Sequence, residues 1–230
     1  MQIIPAQDLQ SSSSSIDQLV DTLANDGIVC FPSGSSYRLA TRLQSESAVI
    51  KFLQVKRRTR KAPALIFVHD SSALRDLVDE IPEEAQILME TFWPGPLTIQ
   101  MRLGSQLPKK IVRNLNKSKK VGFRIPEDPI AQQLLHGLQE PLLISSANIA
   151  NKKGAHSEAQ IRKNFGRDVQ VLISAGDLSP QGCSTVVDIS SQTPVVERPG
   201  NIEESHILQV YQSQFDTLSA ANVSPVAAAI

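Results

Sequence analysis

Short apolar segments alternate with amphipathic ones along most of the chain, and this alternation limits the fold more than any other feature. Helical spacing of apolar residues predicts helices at about 45–57, 72–79, 82–92, 127–138 and 157–165, after a first one that starts at Ser15. Such interleaving predicts an α/β or α+β fold, in which helices cover a sheet. The predicted strands are IVCF (28–31), ALIFV (64–68), LTIQMRL (97–103), VGFRI (121–125), PLLIS (141–145), VQVLI (169–173), STVVDI (184–189) and PVVER (194–198).

Local signals refine two of these helices. Ser15 opens the first helix with a capping box, and Gly27 ends it. The strand IVCF that follows is expected to stop at Pro32. The second helix places Lys56 and Arg58 at its C-terminal end, where cations are favoured. Truncating either side chain is therefore expected to remove charge but no core.

The composition is that of a globular protein with a core of its own. A chain of 230 residues with 41% hydrophobic content can bury the core of one domain. No run approaches the roughly 18 apolar residues of a membrane span, and the N-terminus lacks the pattern of a signal peptide, so we expect the cytoplasm and no membrane. Cys30 and Cys183 have no metal-ligand spacing, and a disulfide framework is not predicted.

The formal net charge is zero, yet the basic residues are unevenly distributed. Sixteen of the 23 Lys and Arg residues lie in the windows 38–61 and 102–124, where Glu46 is the single acid. The segment VKRRTRKAP (55–63) alone holds five of them. Either a phosphorylated substrate or the backbone of an RNA would account for such a cluster. Apart from Phe52 on the predicted core face and Tyr37 and Phe123 at the edges, aromatic residues do not interleave the windows, so a stacking platform for single strands is not predicted.

Hydroxyl, amide and basic side chains follow several of the predicted strands. The segments FPSGSSYRL (31–39) and ISSANIANKKG (144–154) offer donors for an anion, although each also suits an ordinary turn or a helix N-cap. Arg124 lies in an otherwise apolar strand, and a buried guanidinium needs an anionic partner from the protein or from a ligand. Ser184 and Arg198 add a hydroxyl and a further cation at the end of the chain's strand region.

The residue types that are missing narrow the chemistry. The four histidines show neither metal-ligand spacing nor a pairing with a nucleophile, and no Walker A or GxGxxG motif occurs. We therefore predict no metal site built from protein ligands. A site rich in cations and hydroxyls suits a reaction in which the protein positions reactants and neutralises phosphate charge. Adenylate formation is such a reaction.

Six motifs resemble a known family in their order and approximate spacing. They are similar to those of the YrdC-like family of threonylcarbamoyl-AMP synthases over about residues 12–203. The resemblance implies a twisted mixed sheet flanked by helices, with a concave electropositive cavity, in the single-domain form of the family. Residues 204–230 are then expected to form a C-terminal helix and a flexible tail. The motifs are Lys56-x-Arg58, FWPGPLT (92–98), VGFRIPEDP (121–129), SSAN (145–148), STVVD (184–188) and RPG (198–200).

The resemblance implies an L-threonylcarbamoyladenylate synthase, a nucleotidyltransferase that condenses L-threonine, bicarbonate and ATP, with Mg²⁺, to threonylcarbamoyl-AMP and pyrophosphate. A downstream tRNA threonylcarbamoyl transferase complex would use the product to modify tRNA. Lys56 and Arg58 would serve catalysis and bind ATP. The resemblance further assigns ATP binding to Ser145, Asn148, Ser184 and Arg198, and threonine binding to Ser33, Ser35, Tyr37, Thr98 and Arg124.

Four residues depart from the family pattern on the edge that faces threonine: Gly34 replaces an acid, Ser36 a valine, Arg38 a glycine and Ala62 a lysine. Two alternatives therefore stay open: a YciO-like paralogue with carbamoyl-adenylate chemistry on another acceptor, and a non-catalytic protein that binds double-stranded RNA. An inward Arg38 would pair with a more acidic substrate or close the threonine site. We expect it to point outward, beside Arg42 and Lys51, because arginine heads usually stay in water.

Overall fold

Ten strands form one mixed sheet within the residues that the computed structural model describes, which are 1–11, 13–57, 64–115, 120–149, 155–179, 182–190 and 193–222. The strands are β1 (Gln2–Pro5), β2 (Val29–Ser33), β3 (Ser36–Arg42), β4 (Leu65–Phe67), β5 (Leu97–Arg102), β6 (Lys120–Arg124), β7 (Leu142–Ser146), β8 (Val171–Ser174), β9 (Thr185–Asp188) and β10 (Val195–Arg198). The helices are α1 (Asp8–Ser11), α2 (Ser13–Ala24), α3 (Glu46–Val55), α4 (Glu83–Phe92), α5 (Lys109–Leu115), α6 (Pro129–Leu138), α7 (Glu158–Phe165) and α8 (Glu204–Asn222), with a 3-10 helix at Ser71–Asp76.

The sheet has the strand order β1-β8-β2-β3-β7-β4-β6-β5-β9-β10. The pairs β1–β8, β2–β8, β4–β6 and β5–β9 are parallel, and the other neighbours are antiparallel. The predicted fold class, a mixed sheet flanked by helices, is confirmed. No helix in the described ranges has the length and hydropathy needed to cross a membrane.

Both faces of the sheet are buried under helices, and alternate residues of each strand contribute to opposite faces. On one face, which we call the α2 face, Val29 and Phe31 pack with α2 and α6. On the other, the α3 face, Cys30 and Leu39 pack with α3, α4 and α7. Each fully buried large side chain contributes about 1.5–3 kcal/mol of hydrophobic free energy, so the register of every strand is strongly specified.

The predicted loop FPSGSSYRL is a β-hairpin, and the expectation that β2 stops before Pro32 is wrong. Pro32 pairs with Tyr37, whose N–H donates to the carbonyl of Ala155 and whose C=O accepts from the N–H of Ala147. Both groups of Tyr37 thus point away from β2, and the missing N–H of proline interrupts no ladder bond. Gly34 takes the first position of the two-residue turn with φ +59°, a conformation that glycine adopts without strain.

Several other elements differ from the predictions in type or position. The helix expected at 72–79 is the 3-10 helix capped by Asp70, and Pro82 is the N-cap of α4 rather than its first residue. The elements β1, α1 and α5 were not predicted. The start of α8 packs on α4, where Ile207 and Tyr211 are buried.

Candidate functional site

The strand register collects polar side chains on the α2 face. Arg38 pairs with Ser146 across β3 and β7, and both share this face with Phe31. Arg124 pairs with Phe67 on β4 and lies on the same face. The pairing of β5 with β9 and of β9 with β10 brings three predicted residues to this face, Thr98, Ser184 and Arg198, and the alternation along β2 adds Ser33.

The sheet curves over this face until distant strands meet. Five strand spacings, about 24 Å on a flat sheet, separate β3 from β9. Nevertheless, the hydroxyl of Ser35 in the β2–β3 turn donates to the carbonyl of Gly182, just before β9, at 3.3 Å. The ring of His156 also bonds the Ser35 carbonyl. The α2 face is therefore concave at this end of the sheet, with the hairpin turn closing one side.

Thr98, Ser184 and Arg198 form one hydrogen-bonded cluster. The hydroxyls of Thr98 and Ser184 are 3.1 Å apart. Arg198 Nη2 donates to the carbonyl of Ser184 at 2.8 Å and to its hydroxyl at 3.1 Å. Thr98 and Ser184 are buried. Arg198 itself is exposed, and the cluster fixes the direction of its guanidinium.

Arg124 is buried at 9% exposure and is held by the segment before β5. Its Nε donates to the carbonyl of Gly95 at 2.6 Å, and its guanidinium lies 5.8 Å from the ring of Phe67. Burial lowers the pKa of Arg124, and the carboxylates of Glu127 and Asp128 oppose that shift. The exposed Glu127 is a distant partner, at 3.7 Å, so the buried cation is only partly neutralised by the protein.

Arg38 points into the concavity, and the expectation of an outward side chain is wrong. Its Nη1 donates to the hydroxyl of Ser146 at 2.9 Å, and its buried Nε has no partner among the described residues. Burial, reinforced by repulsion from Arg124 and Arg198, lowers its pKa to about 10. The reason is the strand period: Tyr37 faces the core under α3, so its neighbour must face the other side.

Lys56 is buried at 4% exposure, so the expectation that its truncation removes no core is wrong. Its ammonium donates to the carbonyls of Ser146 and Asn148 and, at 3.2 Å, to the side-chain oxygen of Asn148. Its Nζ also lies 6.0 Å from the centre of the Phe165 ring. The lysine thus holds the turn after β7 in place from the end of α3.

Two predicted residues do not lie with this group. Tyr37 is fully buried on the α3 face, where its hydroxyl donates to the carbonyl of Gly176 at 2.8 Å and accepts from the N–H of Ala175 at 2.9 Å. Burial foremost raises the pKa of Tyr37 to about 12. Ser145 pairs with Leu39 and therefore belongs to the α3 face, whereas Ser146 belongs to the concave one.

The predicted site residue Arg58 lies outside the described residues, as does Ala62. Sequence reasoning assigned no role to Ser146 or Asp128 and expected the wrong direction for Arg38. Asp128 is the N-cap of α6, and its carboxylate accepts from the N–H of Ala131 at 2.9 Å. Burial foremost raises the pKa of Asp128, which interacts electrostatically with Arg124 and Arg38. An aspartate directly before a proline and an apolar helix is a capping signal, and it could have located this carboxylate.

Proteins with similar sequences include ones named threonylcarbamoyl-AMP synthase and ones named YciO. The chain is 32% identical over 183 residues to the threonylcarbamoyl-AMP synthase of Pyrococcus abyssi, a match that covers 80% of this chain and 53% of that protein. It is 30% identical over 203 residues to a putative threonylcarbamoyl-AMP synthase of Mycobacterium tuberculosis, covering 88% of this chain and 92% of that protein. Against the synthases of P. abyssi and Bacillus subtilis, the chain spans little more than half of the relative's length.

Solved structures with the same fold include both branches that the sequence resembles. Sua5 of P. abyssi in complex with L-threonine matches with a TM-score of 0.77 at 30% identity, over 86% of this chain and 58% of that one. YciO of E. coli matches with a TM-score of 0.74 at 26% identity, over 86% of this chain and 94% of that one. The family described as "Sua5_yciO_yrdC: Telomere recombination" matches residues 21–200. The chain belongs to this Sua5/YciO/YrdC family.

Proposed function

We propose that the chain is a carbamoyl-adenylate synthase of the threonylcarbamoyl-AMP type, which joins an amino acid, bicarbonate and ATP and releases pyrophosphate. The observation that carries the proposal is the convergence of Arg38, Arg124 and Arg198 on one concave face, beside the hydroxyls of Thr98 and Ser184. Cations and hydroxyls without a general base suit a phosphorus centre whose attacking group is already nucleophilic.

The reaction has two steps that balance. The amine of the amino acid attacks the carbon of bicarbonate, and loss of water gives a carbamate. A carbamate oxygen then attacks the α-phosphorus of ATP, the bond to the β-phosphate breaks, and pyrophosphate leaves. Negative charge increases on the phosphate oxygens in the second step, where fixed guanidinium groups stabilise it. Arg198 suits this role because Ser184 holds its direction before substrate arrives.

The residues present fit Mg²⁺ that arrives on ATP rather than a resident metal. In the described part of the chain, no three His, Cys, Asp or Glu side chains are grouped to hold an ion. Mg²⁺ is commonly bound by one or two carboxylates together with substrate phosphates. The half-buried carboxylate of Asp128, at the edge of the arginine group formed by Arg38, Arg124 and Arg198, would be one ligand of such an ion. Bound there, the ion would neutralise phosphate charge.

Lys56 has a positioning role in this proposal. Its ammonium holds the carbonyls of Ser146 and Asn148, and this turn presents the Ser146 hydroxyl to Arg38. Nucleotide binding by Asn148 and its neighbours would then depend on a turn that Lys56 orders. RNA binding stays a prediction, because much of the basic segment 55–63 lies outside the described residues. The transferase complex and the cytoplasmic location stay predictions as well.

The test is pyrophosphate release with ATP, bicarbonate and an amino acid, each omitted in turn, with L-threonine as the reference acceptor. Ser184→Ala removes the hydroxyl bonds to Thr98 and Arg198, and we expect a loss of about thirtyfold in kcat/KM for ATP, since the two hydrogen bonds are worth about 1 kcal/mol each. The matched control is Ser213→Ala on the exposed surface of α8, which should change nothing. Release that persists without bicarbonate, or equal effects of the two serine variants, would contradict the proposal.

A further inference from the structure

Arg38 places a third guanidinium in the concavity, beside those of Arg124 and Arg198. The position is glycine in the family pattern that this chain resembles. Here a guanidinium is added between Ser146 and the group of Arg124 and Arg198. A buried cation without a matching anion is costly, because desolvation is not repaid by an ion pair.

The protein itself supplies little compensating charge. Arg38 Nε is buried and unpartnered within the described residues, and Nη1 is bonded to a neutral hydroxyl. The acids that face the arginine group are Asp128, whose carboxylate is committed to the N-cap of α6, and the exposed Glu127. Repulsion from two other arginines acts on the same guanidinium. The group is therefore short of negative charge in the free protein.

The arrangement also places Arg38 beside the wall that closes the concavity. It lies three residues after Ser35, whose hydroxyl contacts Gly182, and Gly182 lies two residues before Ser184. A small molecule held between the hairpin and the start of β9 would thus have Arg38 on one side and Arg198 on the other. A planar guanidinium with free N–H donors is suited to a carboxylate.

We infer that Arg38 is a specificity-determining residue that selects an acceptor with a second carboxylate, an acidic α-amino acid in place of threonine. The extra anion of the substrate would match the extra cation of the site, and the buried Nε would gain its acceptor. The bonds made and broken are those of the proposed synthesis, so the inference rests on that function, but the binding it implies can be measured without turnover. Contact with the phosphates of ATP is the competing role for Arg38.

The experiment compares the wild type with Arg38→Gln and Arg38→Gly, and uses Arg42→Gln as a matched control. Arg42 lies on the same strand, but its guanidinium pairs with Glu140 and the carbonyl of Ala24, away from the concavity. Binding of L-aspartate, L-glutamate and L-threonine is measured by calorimetry in the presence of Mg²⁺ and a non-hydrolysable ATP analogue. Pyrophosphate release is measured with the same three acceptors.

We expect the wild type to bind an acidic amino acid at least tenfold more tightly than threonine. Arg38→Gln and Arg38→Gly should abolish this preference, and Arg42→Gln should retain it. A wild type that prefers threonine, or an Arg38→Gln variant that weakens the ATP analogue rather than the amino acid, would overturn the inference. Preferential binding of acidic amino acids without pyrophosphate release would support the inference and refute the proposed function, so the two failures are distinguishable.

Discussion

Replacing Lys56 by methionine tests whether the buried lysine orders the turn after β7. Methionine keeps an unbranched stem near Phe165 but removes the ammonium and its three hydrogen bonds to Ser146 and Asn148. A hydrogen bond to a charged group contributes about 1.5–3 kcal/mol, but relief of the desolvation of the buried cation offsets part of the sum. We expect a net loss of about 3 kcal/mol in the free energy of unfolding, which for a chain of this length lowers Tm by about 6–12 °C.

The assay is thermal unfolding at pH 7 beside Lys51→Met, a substitution of the same type on the same helix. The Lys51 ammonium reaches the carbonyl of Asp26 at 3.5 Å and is half-exposed, so its loss should cost less than about 0.5 kcal/mol. Affinity for an ATP analogue should fall for Lys56→Met as well, because the turn would lose its support. Equal Tm shifts for the two variants would show that the buried ammonium contributes no more than a surface charge, and the reasoning would fail.

Two further predictions concern other buried contacts. Burial would raise the pKa of Glu158, but hydrogen bonds led by that from Ser174 outweigh this effect and lower the pKa below 4.5. Glu158→Gln should therefore reduce the free energy of unfolding in urea at pH 7 by about 1–3 kcal/mol. The difference from the wild type should shrink as the pH falls below about 4.5, and a pH-independent difference would contradict this assignment. A methyl group at Gly122 would lie 2.6 Å from Thr98 Cγ2, so Gly122→Ala should lower Tm by several degrees and reduce activity with ATP. The double variant with Thr98→Ser lacks the Thr98 methyl group and should regain both stability and activity. A double variant that does not recover would place the strain elsewhere.

The regular elements could be predicted from the sequence, because burial on one or both faces leaves a period that can be read directly. Most of the interleaved strands and helices were placed within a few residues, and five of the predicted polar residues do share the concave face: Ser33, Thr98, Arg124, Ser184 and Arg198. These residues lie in or beside strands whose register the core determines.

The remainder of the site depends on long-range pairing that one sequence does not reveal. The segment FPSGSSYRL contains so many turn residues that its strand β3 was not recognised, and with it the direction of Arg38 was lost. The choice between Ser145 and Ser146 requires the pairing of β7 with β3, a hundred residues earlier in the chain. The burial of Lys56 follows from the contact between the end of α3 and the turn after β7, for which helix periodicity carries no signal.

The alternation of Tyr37 and Arg38 along β3 restricts how this protein can evolve. One residue inserted between Gly34 and Tyr37 would turn Tyr37 and Arg38 to opposite faces of the sheet. The Arg38 guanidinium would then enter the apolar layer under α3, and the Tyr37 phenol would enter the cavity. Hairpins elsewhere diversify by changing length, but here that route would place both side chains in the wrong layer and destabilise the sheet. By our inference that Arg38 selects the acceptor, a replacement at position 38 would change the acceptor while the number of residues in the hairpin stays constant.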